Sequence, residues 1–296
     1  MRLFWLTAFT MVPLAANSVL NRMAIGAGLS DPVGFAMIRL VSGAVVLAVL
    51  LFAARIRGRL PAAGPVGRRT VGVLSLLVYM FGFSLAYLGL DAGVGALILF
   101  GMVQVTMFLG AALRREPLPA SCWIGAAIAF AGLAWLLVPG SAAPVSPAHA
   151  AMMALGGMGW GVYSLAARGA GNAVADTAWN FILSVPVAMP VLLLALVAGV
   201  LPEITVTEGG IALAVVSGAI TSGLAYALWY RLLPELGAAR AGVAQLTVPV
   251  LAMAGGMIFL EETLTLRFAL SSLLVLGGVA MASLGGAQRT IVSNGS

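Results

Sequence analysis

Arg39, in the run FAMIRLVSG, is a lone charge about eight residues into a long apolar stretch. An ionisable group at such depth marks function by default. Its planar fork suits a carboxylate. The same fork can instead bond helix-end carbonyls or snorkel. Around it stand aromatic candidates. Tyr79, Phe83 and Tyr87 are spaced i, i+4, i+8, on one helical face. Trp160 and Tyr163 share a second face, and Tyr226 and Tyr230 a third. Tyr87 and Tyr230 fall near the ends of their runs, where an interfacial belt explains them. Tyr79 and Trp160 fall mid-run. There they either pack, with a partner for OH or NH, or line a cavity and stack on a bound side chain or hold an ammonium.

Asn17, Asn21, Gln104 and Gln245 place amides at depth. Polar groups in apolar surroundings need partners, so these face other helices or a cavity. The candidate substrate-binding set is Asn17, Arg39, Tyr79, Phe83, Gln104, Trp160, Tyr163, Tyr226 and Gln245. Pro13, Pro186, Pro190 and Pro249 also interrupt apolar runs, and each can kink a helix. Pro13, Gly159 and Pro249 are the gating candidates, although glycines such as Gly157 and Gly161 equally serve close helix contact.

Other chemistries are missing. There is no HExxH, GxSxG or phosphate-binding loop. The single histidine (His149) and single cysteine (Cys122) leave no metal set and no internal disulfide. No cofactor and no enzymatic activity are expected. All nine acidic residues lie at helix ends or in loops, which disfavours a multidrug cation pump and leaves no evident proton carrier. Glu116 and Glu262 read as acidic groups near helix N-termini.

The elements that must hold these residues are set by charge spacing. Only 24 of 296 residues are charged, and 62% are hydrophobic; soluble domains carry about 25% charge. Charge-free runs of 19 to 26 residues separate Arg2 from Arg22, Arg69 from Asp91, Asp91 from Arg114, Asp176 from Glu203, Glu208 from Arg231, Arg240 from Glu261, and Arg267 from Arg289. About 20 apolar residues cross the hydrocarbon as a helix, and continuous rather than alternating runs exclude a barrel. The expected fold is an all-α membrane protein with ten transmembrane helices: 3–26, 32–54, 70–90, 92–113, 120–139, 148–168, 177–199, 210–231, 239–260 and 267–286. The start, MRLFWLTAFTMVPLAANS, has signal-peptide features, but is expected to remain as the first span.

All 15 basic residues are arginine, and the net charge of +6 arises in loops. With a cytoplasmic N-terminus, twelve arginines fall inside and at most Arg22 and Arg267 outside, so both termini are expected in the cytoplasm. Nucleic acid is not an expected partner. Lysine's absence, with abundant Ala, Gly and Arg, suggests a GC-rich bacterial genome and hence the inner (plasma) membrane.

A shift of 146 residues superposes Ser18 on Ser164, Arg22 on Arg168, Gly110 on Gly256, Glu116 on Glu262, Leu118 on Leu264 and Gly132 on Gly278. Residues 1–140 and 141–296 thus read as two five-helix repeats. An odd number of spans per repeat inverts the second. Inverted repeats recur in secondary transporters, with the site between the halves.

The chain resembles a ten-span member of the drug/metabolite transporter superfamily, the EamA-type carriers. Arg22 and Arg168, Arg39, VYMFGFSLAYLGL, Glu116, Glu262 and especially QLTVPVLAMAGGMIFLEETL carry the resemblance. Gln104 departs from it, standing where the family often has proline. Within the superfamily the chain is most similar to YddG-type amino-acid exporters. The resemblance implies a carrier of small metabolites, amino acids first, working by alternating access as a monomer or homodimer among membrane lipids. Other cargo such as purines, sugars or drugs, a gated channel, and an intramembrane lipid enzyme are the rival readings.

Overall fold

The computed structural model describes residues 1–57, 65–115, 119–138, 145–167, 172–199 and 204–293. Glu116, Leu118 and Arg168, invoked for the repeat, lie outside these residues. The described residues form helices, α1 Arg2–Gly26, α2 Pro32–Ile56, α3 Val66–Ala86, α4 Ala92–Leu113, α5 Ala120–Leu137, α6 Pro147–Ala167, α7 Ala173–Val197, α8 Glu208–Val216, α9 Ala225–Gln245, α10 Thr247–Phe259 and α11 Leu266–Ser293, with one isolated antiparallel bridge between Ser30 and Val206. A π-helical segment, Ser217–Leu224, joins α8 to α9.

Among the described residues eight helical stretches are long and apolar enough to cross a membrane, and two further apolar helices, Thr247–Phe259 and Leu266–Ala282, are shorter. The first seven expected spans appear within four residues of their expected limits: α3 starts and ends four residues early, and α7 starts four and ends two residues early. The last three differ. The eighth, expected as one regular helix over 210–231, is continuous over Glu208–Leu233 but contains the π segment. The ninth, expected over 239–260, is displaced. The backbone stays helical past Pro234 to Gln245, turns at Leu246, and restarts as α10. At 1.5 Å per residue, the 13 residues of α10 extend only about 20 Å. The tenth begins as expected but stays helical to Ser293.

Helix starts show why the chain folds locally as it does. The Asp31 carboxylate accepts the Val33 and Gly34 N–H groups, with Pro32 in the first turn of α2. Asn172 and Thr207 cap α7 and α8 in the same way. α4 is capped from outside its own sequence: Glu262 Oε1 accepts the Ala92 N–H at 2.7 Å. Glu262 was expected to serve the helix that follows it. That helix starts at Leu266 and takes its cap from Thr265, which accepts the Phe268 N–H.

The two halves pack chiefly on each other. α1 lies against α9, α10 and the π segment; α6 lies against α3 and α4; α2 packs on α7, α8 and the π segment; α5 pairs with α11, and α4 with α10. Missing side chains permit the closest approaches. A methyl group on Gly159 would lie 2.8 Å from the Ser75 carbonyl and 2.9 Å from the Tyr79 nitrogen. Gly159 is therefore a contact between α6 and α3. The outward faces stay apolar, with Val191, Leu193, Leu194 and Val197 of α7 all exposed, as lipid-facing helices require.

Candidate functional site

In the first third of α2 the Arg39 side chain turns inward and is fully buried. Nε donates to Ser222 Oγ at 3.0 Å, and Nη2 donates to the hydroxyls of Tyr79 at 2.8 Å and Tyr226 at 3.2 Å. Those two hydroxyls lie 2.8 Å from each other. The guanidinium also sits over the rings of Tyr79 and Phe83, at 5.3 and 5.0 Å from their centroids. Nη1 has no hydrogen-bond partner.

The π segment organises the other side of this cluster. Asn17 Nδ2 donates to the Thr221 carbonyl at 3.0 Å and to Ser222 Oγ at 3.4 Å. Asn17 Oδ1 accepts the Ser217 and Thr221 hydroxyls at 2.7 and 2.6 Å. The wider π turn brings Ser217, Thr221 and Ser222 toward α1 and α2 together. Such bulges are frequent at functional sites. Asn21 has a structural partner instead: it donates to the Asn17 carbonyl and accepts the Ser84 hydroxyl, joining α1 to α3.

In front of Arg39 the aromatic rings form a continuous wall. Trp160 lies 4.9 Å from Tyr79, 4.7 Å from Tyr226 and 5.4 Å from Tyr163, the last nearly parallel. Phe83 continues the wall to Tyr87, and Tyr163 continues it to Tyr230. A chamber opens between Leu14, Ser18, Tyr79, Phe83, Leu99, Phe100, Trp160, Tyr226 and Gln245. Its volume is about 10 Å³, room for roughly one water. The site is closed in this conformation.

Of the candidate residues, Tyr79, Phe83, Trp160, Tyr226 and Gln245 meet on the chamber wall, with Arg39 and Asn17 behind it. Tyr163 stands one ring further along, its hydroxyl on Thr177, and lines a separate depression with Arg68, Arg69, Asp176 and Asn180. Gln104 is half-buried on α4 and does not reach the chamber. Pro13 lies inside an unbroken α1. Pro249 was expected to kink a span, but stands in the first turn of α10, where proline fits without a kink. Leu14, Ser18, Leu99 and Phe100 were not foreseen. Nor were Ser217, Thr221 and Ser222, although polar residues at i, i+4 and i+5 within an apolar run are a visible signal.

Each end of α3 carries ion pairs. At the far end of α3, Arg22 donates to the Tyr87 carbonyl at 3.2 Å, and lies 3.5 Å from Asp91 and 3.9 Å from Glu262. At its near end Arg68 and Arg69 both pair with Asp176, at 2.9 and 3.6 Å, and Arg69 covers Trp179.

Residues 148–284 match the model of the EamA-like transporter family. Nearly the whole chain is similar to an uncharacterized protein of Pseudomonas aeruginosa: 44% identity over 280 residues, 95% of this chain and 94% of the other. The chain belongs to the EamA-like transporter family. A protein of known crystal structure shares the fold, with a TM-score of 0.66 at 20% identity, over 94% of this chain and 96% of that one. An EamA-like transporter works on small molecules within lipid, and the long apolar helices make this chain a multi-pass membrane protein.

Proposed function

We propose that this EamA-like protein is a ten-span secondary transporter of the bacterial inner membrane that exports amino acids, apolar and aromatic ones included, by alternating access. The observation that carries the reading is the aromatic chamber backed by Arg39, because helices from both halves of the chain build it. Rings accept varied apolar side chains by stacking, and a guanidinium meets the carboxylate.

Residues 1–140 and 141–296 act as inverted repeats, with both termini cytoplasmic as the arginine distribution requires. The pairing of helices supports this. α1 packs on the π segment, α9 and α10 as α6 packs on α3 and α4, and α5 with α11 and α4 with α10 form self-matched pairs. The closed chamber is too small for any amino acid. Cargo enters only when the halves separate at one end, which places an ion-pair cluster at each gate.

The test is reconstitution of the full chain in liposomes, with labelled phenylalanine, leucine, glutamate and lysine measured with and without a pH gradient. Saturable uptake or exchange of at least the apolar amino acids is expected. Flux that does not saturate would make the protein a channel, and no movement of any of the four would overturn the reading.

A further inference from the structure

The surroundings of Arg39 hold more hydrogen-bond donors than acceptors. Arginine offers five N–H donors and no acceptor, and a hydroxyl offers one donor and two lone pairs. Nη2 supplies both phenol oxygens, and one phenol donates to the other. That leaves one O–H of the Tyr79–Tyr226 pair to be placed. Ser222 Oγ already receives Arg39 Nε and Asn17 Nδ2. Asn17 Oδ1 already receives two hydroxyls. Nη1 has no acceptor at all, and it is buried. Among the described residues no carboxylate lies within ion-pair distance of Arg39. A buried cation without a counter-ion is costly enough that a partner is expected.

We propose that Arg39, Tyr79 and Tyr226 form a receptor for a single carboxylate, and that the cargo class is therefore apolar monocarboxylates, with an amino group optional. The proposal rests on the transporter reading above and narrows it. The two phenols line the chamber and Arg39 stands directly behind them. An entering carboxylate takes the surplus O–H, and a small shift of the phenols gives it Nη1. The lining offers no acid to hold an ammonium; an amino group would meet only ring faces, a weaker contact. Tyr79, Phe83 and Trp160 then cover the apolar remainder.

The test uses purified full-length protein in detergent and three probes that differ at one group: phenylalanine, 3-phenylpropanoate and phenethylamine. Binding is read by calorimetry and by Trp fluorescence. Phenylalanine and 3-phenylpropanoate should bind with affinities within about tenfold of each other, and phenethylamine at least about tenfold more weakly than either, the difference of one charge-assisted contact. Arg39→Gln should remove the preference for the acids. Because Arg39→Gln can fail to fold, Tyr79→Phe and Tyr226→Phe are measured too. Each keeps the ring and should weaken both acids while leaving the amine unchanged. Equal binding of amine and acid, or acid affinity unaltered in both Phe variants, would overturn the proposal. Carboxylate binding without liposomal flux would instead overturn the transport reading and leave this receptor standing.

Discussion

Glu262 caps a helix that starts 170 positions earlier in the chain, its Oε1 accepting the Ala92 N–H at 2.7 Å. Asp91, directly before that helix, makes no side-chain cap bond and faces Arg22 instead. The tip of the α10–α11 connection is thus fastened to the start of α4 and the end of α1. This arrangement ties three elements together at one end of the helix bundle with a long-range cap and an ion pair. Glu262→Ala should cost about 1–2 kcal/mol, the scale of a lost cap, and should speed exchange through that end. Thermal unfolding and proteoliposome exchange measure the two effects.

The same residue predicts a pH dependence. Burial pushes the Glu262 carboxyl above its ordinary value, with Asp91 adding to this and the Ala92 and Gly93 N–H groups and Arg22 opposing it. A raised acid binds its proton more readily folded than unfolded. Its contribution to stability is therefore fully present below the ordinary carboxylate value and is lost as pH rises through the raised one. The wild type should gain stability relative to Glu262→Gln as pH falls through that window. A pH-independent difference in melting temperature between the two would refute this.

Asn17 fastens α1 to the π segment through four contacts between 2.6 and 3.4 Å. Asn17→Ala strands the buried Ser217 hydroxyl, while Thr221 keeps its bond to the Ser217 carbonyl at 2.9 Å, for a cost of about 2 kcal/mol. Because Ser222 also receives Arg39, the variant should bind carboxylate probes more weakly. Thermal unfolding with probe titration would show both losses; a loss of stability alone would limit Asn17 to holding helices together.

Gly159→Val should disturb both packing and cargo, since its side chain would strike the backbone of Ser75 and Tyr79. A fall in melting temperature and weaker phenylalanine binding are expected. Gly67→Ala is the control, because nothing lies within 4 Å of the added methyl. Its stability should stay within about 0.5 kcal/mol of the wild type.

Pro13 sits within α1, one residue before the chamber residue Leu14. Pro13→Ala restores a donor to the backbone ladder and stiffens the helix there. Phenylalanine exchange should slow while equilibrium binding persists. Unchanged exchange would remove Pro13 from the mechanism.

Arginine and carboxylate positions, read along the chain, located the apolar helices, because hydrocarbon accepts neither charge nor unpaired backbone over about 30 Å. The same scarcity singled out Arg39, and helical spacing placed Tyr79 with Phe83 on one face. Those inferences are local: each depends on a residue and its neighbours within a turn or two. The join of Asn17 to Ser217, Thr221 and Ser222, and the capping of α4 by Glu262, cross 170 to 205 positions. The π turn and the displaced α10 are likewise settled by which helices meet. Only three-dimensional packing decided that Tyr79 and Tyr226 share one guanidinium while Gln104 stays away. No periodicity along a chain records the facing partner, whereas the need to satisfy every buried polar group acts across whatever the folded helices bring together.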